Sequence, residues 1–214
     1  MDYERLYEYR FRDVNQDTRA AVWKEIAQFI YGALGSPRRV LDPAAGRCEF
    51  LNAIPSEERW GVDTGAYAPK HAAPGVKTLV SDIFKAELPP NYFDAVFVSN
   101  FLEHLNSREE VAAFLEKMHG VLKPGGQIAV VGPNFKHCQE EYFDCGDHNL
   151  ALTEVSTAEL LYAAGFQVER VHGRFIPYSF RSRLPVRPFL VRLYLKMSPA
   201  WRVLGKQFMI LARK

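Results

Sequence analysis

The chain has 214 residues, 48% of them hydrophobic, with 27 Lys and Arg against 25 Asp and Glu for a formal net charge of +2. That length supports one domain with a full core and excludes two comfortable ones. Three widely spaced cysteines exclude a disulfide framework, and no apolar run approaches membrane-spanning length. The segment from Met1 to Asp17 is polar and aromatic rather than a charged-then-apolar leader, so a cytoplasmic location is expected.

In chain order, Val22, Ile26, Phe29, Ile30 and Ala33 recur at helical spacing and stop at Gly35-Ser36-Pro37. Apolar runs follow at 39–41, 59–62, 76–80, 95–98 and 127–131, each flanked by turn residues; such runs interleaved with helical pattern predict a parallel sheet. The clearest helix is predicted from Ser107 to Val121. Ser107 and Glu110 form a candidate capping box, Val111, Phe114, Leu115, Met118 and Leu122 make the buried stripe, and Pro124-Gly125-Gly126 ends it. Ser156 with Glu159 suggests a second capping box, Gly165 a helix stop, and 166–171 and 208–212 the last two strands.

Between those two strands lies a long basic and aromatic connection at about 173–206, with Pro177, Pro185, Pro188 and Pro199. Connections of that length are more often functional than not, so short helices near 186–196 and 199–204 are expected to form a substrate-side lid. From Arg170 onward the chain has no Asp or Glu, while eleven Lys and Arg lie there, the last being Lys214. This asymmetry fits an ordinary solvated face, an anionic acceptor, an anionic membrane surface or RNA.

The segment Val40-Leu41-Asp42-Pro43-Ala44-Ala45-Gly46-Arg47-Cys48-Glu49-Phe50 joins an apolar run to a small-residue turn and then a helix. Ala44, Gly46 and Cys48 let a cofactor lie against backbone. A dinucleotide fingerprint would need Gly or Ala where Glu49 stands, and that anion would face pyrophosphate. S-adenosylmethionine carries a sulfonium and an ammonium and no phosphate, which suits the carboxylates of Asp42, Asp63 and Asp82.

Five ordered segments carry a family resemblance: 40–50, Trp60-Gly61-Val62-Asp63, Ser81-Asp82-Ile83-Phe84, 93–105 and Leu122-Lys123-Pro124-Gly125-Gly126. With them the chain resembles the class I S-adenosylmethionine-dependent methyltransferases. Tyr9-Arg10-Phe11-Arg12-Asp13, Ser99 to Leu105 and Gly132-Pro133-Asn134-Phe135 resemble bacterial members associated with surface-polysaccharide or glycolipid genes. The family's Asp-x-Gly-x-Gly-x-Gly reads here as Asp42-x-Ala44-x-Gly46-x-Cys48, a departure that would cost stability or affinity if Ala44 had to take a positive φ.

The resemblance implies one Rossmann-like, doubly wound α/β domain over 1–214, with a mostly parallel seven-stranded sheet whose last strand is antiparallel. It implies S-adenosyl-L-methionine as cofactor, held by Asp42, Ala44, Gly46, Asp63, Asp82, Ile83 and Asn100. Asp63 would accept from the ribose, Asp82 from the adenine amino group, and Ile83 would pack on the ring. His104 and His148 are candidate bases or orienters of the acceptor, the latter through its neighbour Asp147. Asn134, Tyr142, Tyr178 and Arg181 are candidate acceptor contacts. His137, Cys138, Cys145 and His148 match no zinc spacing, so no metal is expected.

The expected reaction is O-methylation of a sugar, sugar nucleotide or lipid-linked glycan, an anionic acceptor met at the inner membrane face if the basic region touches lipid. An RNA methyltransferase and a noncatalytic partner in glycan assembly are the alternatives. Nucleic acid is the less favoured partner, since no RNA-binding module is present in the sequence.

Overall fold

The computed structural model describes residues 3–177 and 187–214. Two helices, α1 (Tyr3–Arg10) and α2 (Gln16–Ala33), precede β1 (Arg39–Asp42), α3 (Glu49–Ala53), β2 (Glu58–Asp63), α4 (Tyr67–His71) and β3 (Val76–Val80). Then come β4 (Phe93–Ser99), a 3₁₀ turn at Leu102–His104, α5 (Arg108–Val121), β5 (Leu122–Pro133), α6 (Gln139–Tyr142) and α7 (Glu154–Ala163). The chain closes with β6 (Gln167–His172), α8 (Pro188–Lys196), α9 (Ser198–Leu204) and β7 (Gln207–Arg213).

The strands form one sheet in the order β3-β2-β1-β4-β5-β7-β6. Every pairing is parallel except those of β7, which inserts antiparallel between β5 and β6. The Rossmann-like expectation is met, including its antiparallel last strand. Alternation along β4 explains the layering. Val96 and Val98 pack with Phe114, Leu115 and Met118 of α5 and Leu161 of α7 on one face, whereas Ala95 and Phe97 pack with Ile26 and Ile30 of α2 on the other. Both faces are covered, as near-continuous apolar strands require.

Local chemistry sets the helix starts. Asn15 caps α2 by accepting from Thr18 N at 2.9 Å, a contact that contributes about 1 kcal/mol. Ser107 caps α5 as expected, but Glu110 reaches back to Asn106 N at 2.8 Å instead of to Ser107. The second capping box lies three residues earlier than the sequence suggested: Thr153 and Ser156 exchange side-chain and backbone bonds, so α7 begins at Glu154. Two acceptable cap residues occur there, and the winner is the one whose helix buries Thr157 and Leu161.

The expected short helices form as α8 and α9, but α8 packs on α2. Leu195 and Trp201 join the α2-side core, and Arg192 pairs with Glu25 of α2 at 2.6 Å. The described part of the connection is thus an added layer anchored to α2, and the rest of the expected lid, 178–186, lies outside the described residues.

Candidate functional site

The sheet order reverses between β1 and β4, because the chain runs outward from β1 through β2 to β3 and returns to start β4 on the other side. Ligands in open α/β sheets lie at the carboxyl ends of the strands at such a switch point. Asp42 ends β1 there, buried, with Oδ1 accepting from Ala44 N at 3.2 Å. Burial, with smaller repulsion from Asp63 and Glu49, raises the Asp42 carboxyl to about 7. Asp63 ends β2; its Oδ2 accepts from Gly46 N at 2.8 Å and its Oδ1 from Gly65 N at 2.9 Å. Each oxygen retains acceptor capacity for a hydroxyl.

Gly46 adopts φ 49°, and Ala44 does not take a positive φ. The departure that matters conformationally is Cys48, at φ 56°, where a glycine would sit without strain. Its buried Sγ lies 3.6 Å from the Ala68 carbonyl. Gly61 of β2 lets this turn close: a Cβ there would come within 2.9 Å of Ala45 Cβ and 3.1 Å of Leu51 Cδ1. Glu49, the anion that argued against pyrophosphate, is held by Arg19 of α2 through two bonds of 2.6 and 2.9 Å.

Beyond β3, Asp82 is exposed and its Oδ1 accepts from Phe84 N at 2.9 Å. Ile83 differs from expectation. Its side chain is buried in the core with Leu41, Val62 and Val96, so it supports the crevice floor and offers no open ring platform. Asn100 leaves β4 at φ 48°, donates Nδ2 to Ser99 Oγ at 2.9 Å, and is tied to β5 by its N–H to the Val131 carbonyl at 2.9 Å.

Beyond the end of β4 the two histidines meet. The rings of His104 and His148 stand 5.0 Å apart, edge to face. The segment after α6 is clamped onto the 3₁₀ turn by Asn149 and Leu150 N–H bonds to the Glu103 carbonyl (2.8 and 3.1 Å) and by Asn149 Nδ2 to the His104 carbonyl (2.9 Å). His104 Nδ1 donates to the Asp147 carbonyl at 2.9 Å, and Asp147 Oδ2 lies 3.4 Å from the same nitrogen. Because a carbonyl only accepts, Nε2 is the basic nitrogen of neutral His104.

The expected pairing of Asp147 with His148 is therefore corrected. Asp147 serves His104, and its other oxygen pairs with Arg10 of α1. Burial would raise the Asp147 carboxyl, but the Arg10 hydrogen bond and the nearby His104 hold it below its usual range. His148 faces Glu103 instead, with Nε2 4.0 Å from Oε1. Burial, then repulsion from His104, lowers His148 to about 4, and burial raises the Glu103 carboxyl. Glu103, His104 and His148 each bring one ligand-competent atom within 4.8 Å of the others, a set that sequence reading did not assemble. The suggested cysteine-histidine set is divided otherwise: Cys138 Sγ bonds the Asn134 carbonyl at 3.1 Å and His137 Nδ1 lies 3.2 Å from Arg174 Nη2.

Two acceptor contacts are corrected. Asn134 is 0% exposed, its Nδ2 donating at 2.7 Å both to Glu154 Oε2 and to the Gly173 carbonyl, so it ties β5 to the end of β6. Tyr142 is also 0% exposed; its hydroxyl donates to the Leu150 carbonyl at 2.7 Å and accepts from Leu152 N at 3.1 Å. It props the histidine loop, with its ring 5.0 Å from that of His148. Tyr178 and Arg181 lie outside the described residues.

Sequence reading missed α1. Tyr7 stands edge-on to Tyr67 at 6.4 Å, and burial with the charge of Asp147 raises its hydroxyl to about 12. Arg10 lies over the Tyr7 ring, 5.2 Å from its centroid. The signal was present in the segment 9–13, but its partner lies 137 positions away.

Residues 41–130 match the family described as "Methyltransferase domain". No curated protein matches the sequence significantly. A SAM dependent methyltransferase from Archaeoglobus fulgidus is 24% identical with 100% of both chains covered and a TM-score of 0.70. The N-methyltransferase NodS from Bradyrhizobium japonicum WM9, solved with S-adenosyl-L-homocysteine, is 13% identical over 87% of this chain and 84% of its own, with a TM-score of 0.62. The [4+2]-cyclase SpnF is 16% identical over 89% of this chain and 80% of its own, with a TM-score of 0.63. These likenesses establish the fold, which hosts more than one chemistry.

Proposed function

We propose that this chain is an S-adenosylmethionine-dependent methyltransferase acting on the oxygen of a sugar, sugar nucleotide or lipid-linked glycan. The observation that carries the donor is Asp63, held by two backbone N–H groups at the tip of β2 with acceptor capacity left over. The match of 41–130 to the methyltransferase domain supports the same reading. The residues fit the group: Asp42 is a buried carboxylate that gains from a cation, the 43–48 turn offers backbone rather than bulk, and Glu49 is already neutralised by Arg19.

When bound, S-adenosylmethionine supplies a methyl carbon already activated by its sulfonium, so the protein has to position, exclude water and handle one proton. Asp63 would orient the ribose and Asp82 the adenine edge, while Asp42 lies nearest the turn that would face the methionine portion. His104 Nε2 would take the acceptor hydroxyl's proton, with Asp147 fixing the tautomer through the carbonyl bond and stabilising the imidazolium through its carboxylate. Arg10 keeps that carboxylate ionised and ties α1 to the histidine loop. His148, neutral and walled by Tyr142, Glu103 and His104, positions the ring beside it.

An anionic acceptor rests on the acid-free stretch from Arg170 onward. Incubation with isotopically labelled donor and a fractionated extract, followed by mass spectrometry of the labelled product, tests the reading. Label on a glycan or glycolipid hydroxyl supports it; label on RNA, or no transfer to any fraction, overturns it.

A further inference from the structure

The described residues of the C-terminal helices leave an apolar stripe uncovered. Phe189 and Leu193 of α8 and Met197 just beyond its end recur at every fourth position, 63%, 51% and 48% exposed, while Val191 and Leu195 on the opposite side pack toward α2. Val203 of α9 is 74% exposed. An amphipathic helix normally buries its apolar side and turns its polar side outward; the outward side of α8 carries Phe189 and Leu193 beside Arg192 and Lys196. Exposed apolar side chains grouped this way mark a surface that is covered in use.

Charge says what covers it. Arg187, Lys196 and Arg202 are exposed around the stripe, and no Asp or Glu occurs anywhere in α8, α9 or the segment that leads out of β6. Among the described residues, Glu25 of α2 approaches α8 and is engaged by Arg192, while Glu154, which lies against Gly173, is engaged by Lys136. Beside α9 opens a groove lined by His137, His172, Arg174, Trp201 and Arg202, with no Asp or Glu among the described residues of its lining. Apolar side chains ringed by cations, next to a cationic groove, complement an anionic lipid surface, where the ring meets headgroups and the stripe enters the acyl boundary.

The position fits the chemistry. α9 delivers the chain to Gln207, which pairs with Pro133 at the carboxyl end of β5, the end of the sheet at which Asp42 and Asp63 stand. We propose that α8 and α9 dock this protein on an anionic bilayer, with Phe189, Leu193, Met197 and Val203 inserting and Arg187, Lys196 and Arg202 meeting the headgroups. The inference goes beyond methyl transfer and is read without turnover, so either can fail alone.

Co-sedimentation of the full chain with vesicles of phosphatidylcholine and phosphatidylglycerol, against phosphatidylcholine alone, tests it. Binding is expected to the mixed vesicles, weakening as salt rises. The combined variant Phe189→Ser, Leu193→Ser, Met197→Ser should bind about a hundredfold more weakly. Lys196→Gln with Arg202→Gln should bind about thirtyfold more weakly, at about 1 kcal/mol for each cation. All five positions are exposed, so thermal melting should be unchanged and a binding loss is then read as loss of the surface. Equal binding to both vesicles, indifference to both variants, or a dimer in solution that the serine variant splits without any vesicle binding would overturn the proposal.

Discussion

His104 and Asp147 are joined twice: the imidazole Nδ1 lies 2.9 Å from the Asp147 carbonyl and 3.4 Å from its carboxylate. The carbonyl sets the tautomer, and the carboxylate waits for the charge that proton abstraction would create. His104→Gln is therefore expected to lower methyl transfer about a hundredfold. Asp147→Asn, which keeps the carbonyl, should cost about tenfold. Single-turnover transfer of labelled methyl separates these, with the donor's Kd unchanged in both; undiminished transfer by His104→Gln would remove the base assignment.

Two buried groups make stability depend on pH in opposite directions. The Asp42 carboxyl is raised to about 7, so its contribution is intact below the unfolded carboxylate range and is lost as pH climbs through 7. His148 is lowered to about 4, so its contribution is intact above the unfolded imidazole range and is lost as pH falls towards 4. Each window spans roughly 3 to 4 kcal/mol. In thermal melts without ligand, Asp42→Asn should gain relative to wild type at pH 8 and not at pH 4, and His148→Gln should gain at pH 4 and not at pH 8. Parallel curves for wild type and both variants would contradict the burial argument.

Cys48 holds a left-handed backbone with a side chain packed into a buried niche. Cys48→Gly relieves the backbone and empties the niche, so the change in unfolding free energy should stay within about 1 kcal/mol. Cys48→Val puts a β-branched residue where φ is positive and should cost more than about 2 kcal/mol. Urea unfolding of the two variants gives the comparison; equal losses would mean that the turn relaxes to another conformation.

Asn134 satisfies two acceptors with one amide, so Asn134→Ala should destabilise by about 3 kcal/mol and leave KM for the acceptor unchanged. A raised KM with unchanged melting would return Asn134 to the acceptor site.

What the sequence disclosed follows from what is local. The sheet was legible because its central strands β1, β4 and β5 carry apolar runs closed by turn residues, and the tips Asp42 and Asp63 were legible because a strand end is also a place in the run. Ser107 announced α5 in the same way. Residues whose role depends on distant partners were not legible. Asn134 and Tyr142 carry polar groups that look available in a list of letters, yet each is consumed by backbone brought from elsewhere. Arg10 meets Asp147 across 137 positions, and adjacent Asp147 and His148 diverge where the chain turns, His148 N–H closing the turn on the Cys145 carbonyl at 3.1 Å. Burial of Ile83 was likewise set by packing from α5, which no neighbouring residue reveals.

Isothermal titration calorimetry with S-adenosylmethionine and its demethylated product decides whether Asp63 anchors a methyl donor. Saturable one-to-one binding is expected, abolished by Asp63→Ala while the thermal transition stays cooperative. Absence of heat from the wild-type chain, or binding that Asp63→Ala leaves untouched, would contradict it.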